Sequence, residues 1–271
     1  MKTLIQQGVH IAISQMPVVA GNPRQNATWM IGEITAAAGR GVDIIVFPEL
    51  CVPGYLIGDM PEDESFVRDV WYWNQQVVDA TELNDIVVIF GSYAIDYRGA
   101  VGEDGRVRKI NAGFVAQHGE LLKNRAGRKF FAKTLMPKYR MFDDERHYLS
   151  AQKLAYEEQQ SLEMYLQPYD VTIRGQLLRV GTIICEDMWH ADYAVNPGKI
   201  QAGHDIDLMI NISCSPWGWQ KNRARHENVR RLSGDIKVPF VYVNNVMPQN
   251  NGKNFVVFDG ASTVYNEYGD V

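Results

Sequence analysis

The chain passes abruptly from apolar to ionisable residues at Val180-Gly181-Thr182-Ile183-Ile184-Cys185-Glu186-Asp187-Met188-Trp189. A short apolar run of this kind predicts a buried strand. Cys185 stands where that strand would end and the chain would turn toward two acids. Functional residues concentrate on the connections that a rigid sheet holds in place. The pattern therefore indicates a nucleophile at a strand end of an α/β fold.

Two other segments could support such a thiol: Phe47-Pro48-Glu49-Leu50 and Lys133-Thr134-Leu135-Met136-Pro137. Each follows a β-like stretch and carries one ionisable group. Covalent amide hydrolysis needs a base for the thiol, a donor for the oxyanion and a proton for the leaving amine. We assign Cys185 as nucleophile, Glu49 as general base and acid, and Lys133 as oxyanion donor, together with a backbone N–H that follows Cys185. We also expect the nearby lysine to lower the thiol pKa.

Each of these residues also has a purely structural interpretation. A cysteine in an apolar run is usually a small core residue, and Glu49 or Lys133 alone could lie on the surface. The acids Glu186 and Asp187 favour a functional site, because acidic side chains are rarely buried without a partner.

A papain-like Cys–His pair is the rival catalytic arrangement, with His190 or His147 as the base. His190 is only five residues from Cys185, whereas such pairs usually meet across the fold. The chain has no HExxH, CxxC or DxDxDG metal signature and no phosphate-binding P-loop pattern. We therefore expect neither a metal nor another cofactor.

Composition predicts one soluble globular domain over residues 1–271, since 46% of residues are hydrophobic and 22% are charged. The net charge of -5 argues against a nucleic-acid partner. No apolar run reaches the roughly 18 residues that span a bilayer, so we expect no membrane association. The three cysteines have no short paired spacing, which favours a reducing cytoplasmic location.

Strand-like and helix-like segments alternate along the chain, which favours an α/β sandwich. The predicted strands are 10–15, 43–47, 86–93, 109–115, 120–122, 171–173, 177–184, 208–212, 240–243, 255–258 and 262–265. The predicted helices are 22–38, 64–82, 196–203 and 220–236, and residues 151–165 form either a polar helix or a long excursion. No linker divides the chain.

With these motifs the chain resembles the nitrilase, or carbon–nitrogen hydrolase, superfamily from about His10 onward. The superfamily's Glu–Lys–Cys triad falls on Glu49, Lys133 and Cys185. Within the superfamily, the chain is most similar to the N-terminal glutaminase domain of glutamine-dependent NAD+ synthetases. The segments that carry this similarity are Glu49-Leu50-Cys51-Val52-Pro53-Gly54-Tyr55, Leu135 to Arg146, and Asn211-Ile212-Ser213-Cys214-Ser215-Pro216-Trp217.

The resemblance implies a four-layer α-β-β-α sandwich and hydrolysis of glutamine to glutamate and ammonia. It also implies a glutamine pocket, in which Glu186 holds the α-ammonium group. The hydroxyl of Ser215, the amine of Lys221 and the tyrosine hydroxyls would meet the other polar groups of the substrate. The implied pocket residues are Tyr55, Tyr139, Phe142, Glu186, Ser215 and Lys221. In the alternative interpretation, Tyr55 and Phe142 only pack and Lys221 is solvated.

The chain departs from the family pattern in two ways. Asp144 stands where relatives often carry a glutamate that supports the lysine, and it is one methylene shorter. The Ser-Gly-Gly-x-Asp-Ser loop of a synthetase domain does not occur in the sequence. We therefore expect that the chain cannot adenylate a dinucleotide by itself, and that it is a fragment, a separate subunit that passes ammonia to an NAD+ synthetase, or a stand-alone amidase.

Three functions stay open from sequence: a glutaminase for NAD+ synthesis, a hydrolase of another small amide, and a catalytically silent assembly module. The resemblance also implies a homo-oligomer, because members of the superfamily commonly self-associate. Trp71 and Trp73 on the 64–82 helix are candidates for the subunit contact. Packing of this helix on the sheet is the interpretation that we favour.

Overall fold

The computed structural model describes residues 8–101 and 105–271. Its strands are β1 (Ile11–Ile13), β2 (Ile44–Val46), β3 (Val87–Val101), β4 (Val107–Gln117), β5 (Glu120–Leu121), β6 (Phe131–Ala132), β7 (Tyr148–Leu149), β8 (Tyr169–Ile173), β9 (Gln176–Ile184), β10 (Leu208–Ser213), β11 (Phe240–Asn244), β12 (Val246–Asn250), β13 (Phe255–Asp259) and β14 (Thr263–Tyr265). Its α-helices are α1 (Pro23–Gly39), α2 (Glu64–Asp79), α3 (Asp144–His147), α4 (Ala151–Glu157), α5 (Leu162–Tyr165), α6 (Pro197–Ala202) and α7 (Lys221–Ile236). Short 3-10 turns occupy Met60–Glu62, Cys185–Met188 and His190–Asp192.

The strands form two main sheets. The first has the order β1-β2-β3-β4-β5, with β6 and β7 also paired to β4. The second has the order β14-β11-β10-β9-β8, and its three central strands are parallel. The strands β12 and β13 form a separate hairpin. Parallel strands end at the same edge of a sheet. The loops that follow β2 in one sheet, and β9 and β10 in the other, can therefore contribute to one site.

The core shows four layers. Successive side chains of a strand point to opposite faces, and β2 follows this rule: Ile44 packs between the sheets, whereas Ile45 packs with the α1 and α2 side. On the second sheet, Ile184 lies between the sheets and Ile183 packs against α7. The predicted four-layer α-β-β-α sandwich is confirmed.

Most of the predicted elements form close to their predicted bounds. The Asn22 side chain accepts a hydrogen bond from the Gln25 N–H and caps α1, which begins at Pro23. Residues 151–165 form two short helices, α4 and α5, rather than one. The strand β12 was not predicted, because Pro248 within it is unfavourable for a strand.

The two tryptophans of α2 differ in their environment. Trp73 packs against the core between α2 and the first sheet, and Trp71 is exposed. Self-association stays a prediction. Over residues 8–101 and 105–271, no helix combines the length and the apolar character needed to cross a membrane.

Candidate active site

Cys185 lies at a backbone turn that most residues avoid. It follows the last residue of β9 and has a φ of 45°, in the left-handed region that is costly for a residue with a Cβ. A 3-10 turn over Cys185–Met188 follows directly. The strand therefore ends at the thiol, as predicted, and the thiol is largely buried.

Asp187 holds this turn and joins it to a second segment of the site. One carboxylate oxygen accepts the Ile184 N–H at 3.0 Å. The other oxygen accepts the N–H groups of Thr134 at 3.0 Å and Leu135 at 2.7 Å. Burial raises the pKa of Asp187 to about 7, although these N–H donors and Lys133 act to lower it. The carboxylate thus fixes the Cys185 turn beside the Lys133 segment.

Glu49 is fully buried just beyond β2. Its turn crosses β3 at Gly91, where a Cβ would lie 2.5 Å from the Glu49 Cα, so only glycine permits this approach. Oε1 of Glu49 accepts hydrogen bonds from Asn111 Nδ2 at 2.8 Å and Lys133 Nζ at 2.9 Å. Oε2 accepts the backbone N–H of Cys214 at 2.9 Å. Four segments of both sheets therefore meet at this carboxylate.

Lys133 is buried between two carboxylates. Its Nζ donates to Glu49 at 2.9 Å and to Asp144 Oδ2 at 2.6 Å, and Asp144 also accepts a hydrogen bond from the Tyr55 hydroxyl. Burial acts to lower the pKa of Lys133, but Asp144 and Glu49 outweigh it and raise the pKa well above its usual value. The ammonium stays charged, and these bonds use two of its three N–H donors. Asp144 reaches Lys133 despite its shorter side chain.

The Cys185 thiol is protonated in this environment. Burial raises its pKa well above the usual value, the negative charge of Glu49 raises it further, and Lys133 acts in the opposite direction. Lys133 thus has the predicted sign of effect on the thiol pKa, but burial is larger. A nucleophilic role for Cys185 would therefore require a base, and Glu49 is the carboxylate with the largest electrostatic effect on the thiol.

Glu186 is the centre of a second, outer cluster, which it forms with Tyr139 and Tyr193. The hydroxyl of Tyr139 donates to Glu186 Oε2 at 3.0 Å, and the hydroxyl of Tyr193 donates to Oε1 at 2.9 Å. Burial, followed by the adjacent Glu186 charge, raises the pKa of both tyrosines, so each hydroxyl stays a donor. Glu186 borders a cavity of about 430 Å³ that is also lined by Trp189 and Arg231.

Tyr55 and Phe142 line a neighbouring cavity of about 500 Å³. The Phe142 ring packs edge-on against Tyr139, at 5.1 Å between centroids, and against Tyr55, at 6.2 Å. Phe142, which lines this cavity, therefore contacts Tyr139, which lines the cavity beside Glu186. Asp144 also lines this larger cavity. The inner cluster, formed by Glu49, Lys133 and Asp144, therefore borders the cavity directly.

Ser215 and Lys221 complete the predicted set. Ser215 is buried, and its backbone N–H donates to Asn244 Oδ1 at 2.8 Å. Lys221 is half-buried with its Nζ 4.1 Å from the centre of the Trp189 ring. Burial lowers the pKa of Lys221, whereas Cys185 in its thiolate form acts to raise it. The structure thus places Lys221 within electrostatic reach of the thiol.

Comparison with known proteins identifies the family. The sequence profile described as "Carbon-nitrogen hydrolase" matches residues 10–271. The chain belongs to the carbon–nitrogen hydrolase family. It is therefore a carbon–nitrogen hydrolase, as predicted.

Similar carbon–nitrogen hydrolase sequences include two glutamine-dependent NAD(+) synthetases. The protein from Synechocystis is 25% identical over 268 residues, which cover 96% of this chain and 43% of the relative. The protein from Thermotoga maritima is 27% identical over 264 residues, which cover 97% of this chain and 39% of the relative. The chain thus spans about two fifths of the length of these relatives.

Solved structures give the same result for the fold. A glutamine-dependent NAD+ synthetase from Acinetobacter baumannii, in complex with ADP, matches with a TM-score of 0.71 and 25% identity, covering 96% of this chain and 42% of that one. A nitrilase-superfamily amidase from Nesterenkonia AN1 matches with a TM-score of 0.72 and 15% identity, covering 99% of this chain and 87% of that one. The amidase supports the carbon–nitrogen hydrolase fold alone.

The histidines considered as alternative bases have other contacts in this carbon–nitrogen hydrolase. The ring of His147 is 2.7 Å from a Glu62 oxygen, and the ring of His190 is 3.3 Å from Asn196 Nδ2. Among the described residues, no histidine forms a hydrogen bond with Cys185, and no group of three or more His, Cys, Asp or Glu side chains is placed to hold a metal ion.

Sequence reasoning assigned no role to several residues that support the site. Asn111 and the Cys214 N–H bind Glu49, and Tyr193 binds Glu186. The sequence does mark Asp187 as an acid beside the thiol. However, two of its three backbone partners, Thr134 and Leu135, lie some 50 residues away in the chain. A polar residue inside an apolar strand, as Asn111 is in β4, is the one further sequence signal for this set.

Proposed function

We propose that this chain is a cysteine-dependent amidohydrolase that converts glutamine to glutamate and ammonia through a thioester at Cys185. The observation that carries the proposal is the Lys133 ammonium between Glu49 and Asp144, beside a protonated thiol at a strand end. This arrangement supplies a base, a cation and a nucleophile in one buried site.

In acylation, Glu49 takes the proton of the Cys185 thiol while the sulfur attacks the carbonyl carbon of the substrate amide. The third N–H of Lys133 and a backbone N–H after Cys185 stabilise the oxyanion. The tetrahedral intermediate collapses when its C–N bond breaks. Glu49 returns the proton to the departing nitrogen, which leaves as ammonia.

In deacylation, Glu49 takes a proton from water, and the resulting hydroxide attacks the thioester carbon. The C–S bond breaks, the thiolate regains its proton from Glu49, and the product leaves as a carboxylic acid that ionises in water. Each half-reaction thus returns Glu49 to its ionised form. The raised pKa of Cys185 makes the thiolate a strong base, so reprotonation follows C–S cleavage readily.

Glutamine is the proposed substrate because the polar and aromatic residues around the Cys185 turn suit an amino acid. Glu186 offers a carboxylate to an α-ammonium group, and Lys221 and Ser215 offer polar contacts for a carboxylate. Tyr55, Tyr139 and Phe142 provide the walls. The similarity to glutamine-dependent NAD(+) synthetases supports the same substrate. Because those relatives are more than twice as long, we further propose that the ammonia passes to an NAD+ synthetase domain or subunit.

The direct test is an ammonia-release assay on glutamine, asparagine and simple aliphatic amides. We expect glutamine to have the highest kcat/KM, and mass spectrometry of quenched reactions to detect a glutamyl adduct on Cys185. The matched control is Cys51→Ala, which removes another buried thiol, one whose sulfur contacts Met30 and the Gly91 carbonyl, and should retain turnover, whereas Cys185→Ala should abolish it.

Three results would contradict the proposal in different ways. Faster turnover of another amide would identify a different amidase with the same triad. Unchanged turnover in Cys185→Ala would exclude the thioester. A wild-type chain with no turnover and no labelling by an electrophilic glutamine analogue would favour a silent assembly module.

A further inference from the structure

A buried guanidinium lies outside the residues used in the proposed reaction. Arg225 on α7 is the largest fully buried side chain in the described part of the chain. Arginine is rarely buried unless its charge is paired. Its fork meets Asp259 at the end of β13 through two bonds, Nη1 to Oδ2 at 2.8 Å and Nη2 to Oδ1 at 2.9 Å. The pair therefore joins α7 to the β12–β13 hairpin.

The same guanidinium holds the backbone after β10. Nη2 of Arg225 donates to the Ser215 carbonyl at 3.0 Å and lies 3.4 Å from the Pro216 carbonyl. The Asn244 amide brackets the same residue, because its Nδ2 donates to the Ser215 carbonyl at 2.9 Å and its Oδ1 accepts the Ser215 N–H at 2.8 Å. Both backbone polar groups of Ser215 are thus fixed by buried side chains.

The residue before Ser215 faces the reacting groups. The Cys214 N–H donates to Oε2 of Glu49 at 2.9 Å, whereas Oε1 of Glu49 is used by side-chain donors. The Cys214 backbone also acts to lower the pKa of the Cys185 thiol. A displacement of Ser215 would therefore move the donor that orients the base and faces the nucleophile.

We propose that the Arg225–Asp259 pair is a positioning device that acts through Ser215 to hold the Cys214 N–H against Glu49. Among the described residues, the pair forms no hydrogen bond with Glu49, Lys133 or Cys185, and Nη2 of Arg225 lies 3.4 Å from the Ser215 hydroxyl. The inference rests on the proposed role of Glu49 as the base for Cys185. The planar fork of arginine bonds Asp259 and the Ser215 carbonyl at once, and a lysine ammonium is a single point charge that cannot reproduce this geometry.

The test uses the alkylation of Cys185 by iodoacetamide, followed by peptide mass spectrometry over a pH series. In Arg225→Lys, we expect the alkylation rate of Cys185 to fall at every pH of the series, because the loss of the Cys214 N–H raises the thiol pKa. Each unit by which the thiol pKa rises lowers the rate about tenfold at any pH below that pKa. We expect kcat for glutamine to fall about 10- to 100-fold, as for a small misplacement of catalytic groups. The matched control is Arg223→Lys, at an exposed position of the same helix, which should change neither.

A merely structural role for the pair would lower the melting temperature and leave the alkylation profile of the folded protein unchanged. A folded Arg225→Lys protein with the wild-type profile and kcat would overturn the inference. If Arg225→Lys does not fold, Asp259→Asn decides, because it keeps the shape and removes the charge: a wild-type profile in that variant would also overturn it. Alkylation needs no substrate, so this outcome is separate from a failure of the glutaminase proposal, which the ammonia assay reports.

Discussion

Two carboxylates, 137 positions apart in the chain, serve neighbouring clusters in contrasting ways. Glu49 is fully buried and meets a cation, an amide and a backbone N–H. Glu186 is also mostly buried, but its partners are the hydroxyls of Tyr139 and Tyr193. Within residues 8–101 and 105–271, no ion pair to Glu186 occurs.

The contrast separates chemistry from recognition. Lys133 is shared between Glu49 and Asp144, and the hydrogen bonds to Lys133, Asn111 and Cys214 hold Glu49 in place. Hydroxyl donors orient Glu186 but do not neutralise it, and a buried charge without a counter-ion favours a cationic ligand. In the proposed reaction, Glu49 therefore transfers protons and Glu186 binds the ammonium group.

Removing the proton carrier is expected to have the largest effect. Glu49→Gln keeps the shape of the side chain but cannot accept the thiol proton, so kcat for glutamine should fall by about 10²- to 10⁴-fold. The measurement is steady-state ammonia release. Glu64→Gln, at an exposed position of α2, is the matched control. A kcat within threefold of wild type would exclude Glu49 as the base.

Removing the charge of the outer cluster should instead impair recognition. In Glu186→Gln the α-ammonium group loses its charged acceptor, worth about 1.5–3 kcal/mol, so kcat/KM for glutamine should fall about 10- to 150-fold. Turnover of an uncharged aliphatic amide should change little. Glu227→Gln alters another carboxylate at the same cavity and serves as the control. Equal losses on both substrates would show that Glu186 does not recognise charge.

The sequence predicts the strands and turns that carry the site residues, but not the contacts that hold Glu49 and Glu186. The elements that carry Glu49, Lys133 and Cys185 were predictable, because apolar runs reveal the buried strands and polar residues at their ends stand out. The contacts that serve the two carboxylates depend on chain paths that local patterns do not encode. Asn111 reaches Glu49 from the middle of β4, and Tyr193 reaches Glu186 only through the 3-10 turns after β9. Pro248 makes β12 hard to predict from sequence, and Gln249 of the same strand accepts a hydrogen bond from the Tyr55 N–H.

The two tyrosines offer a finer test of the outer cluster. Tyr193→Phe removes a hydroxyl that donates to Glu186 at 2.9 Å, and Tyr139→Phe removes one that donates at 3.0 Å from a side chain that is more exposed as a whole. One such hydrogen bond is worth about 1 kcal/mol, so we expect KM for glutamine to rise about fivefold in Tyr193→Phe and less in Tyr139→Phe. The kcat values should stay near wild type, since neither residue joins the inner cluster. Tyr72→Phe on the exposed side of α2 is the control. A loss of kcat without a change in KM would place Tyr193 in the chemical step.

The last prediction concerns stability rather than rate, and it tests Asp187, which links the Cys185 turn to the Lys133 segment. Burial raises the pKa of Asp187 in the folded protein to about 7, above the value of about 3.9 in an unfolded chain. Between these values the folded state binds more protons, so the free energy of unfolding should decrease as pH rises from about 4 to about 7 and then level off. One proton limits this slope to about 1.4 kcal/mol per pH unit.

Urea unfolding of wild type and Asp187→Asn across this pH range isolates the contribution of Asp187. The variant should be less stable at each pH, because its amide cannot accept all three backbone N–H groups, but its slope should be flatter. Identical slopes would mean that Asp187 stays ionised in the folded protein, and that its backbone donors outweigh its burial.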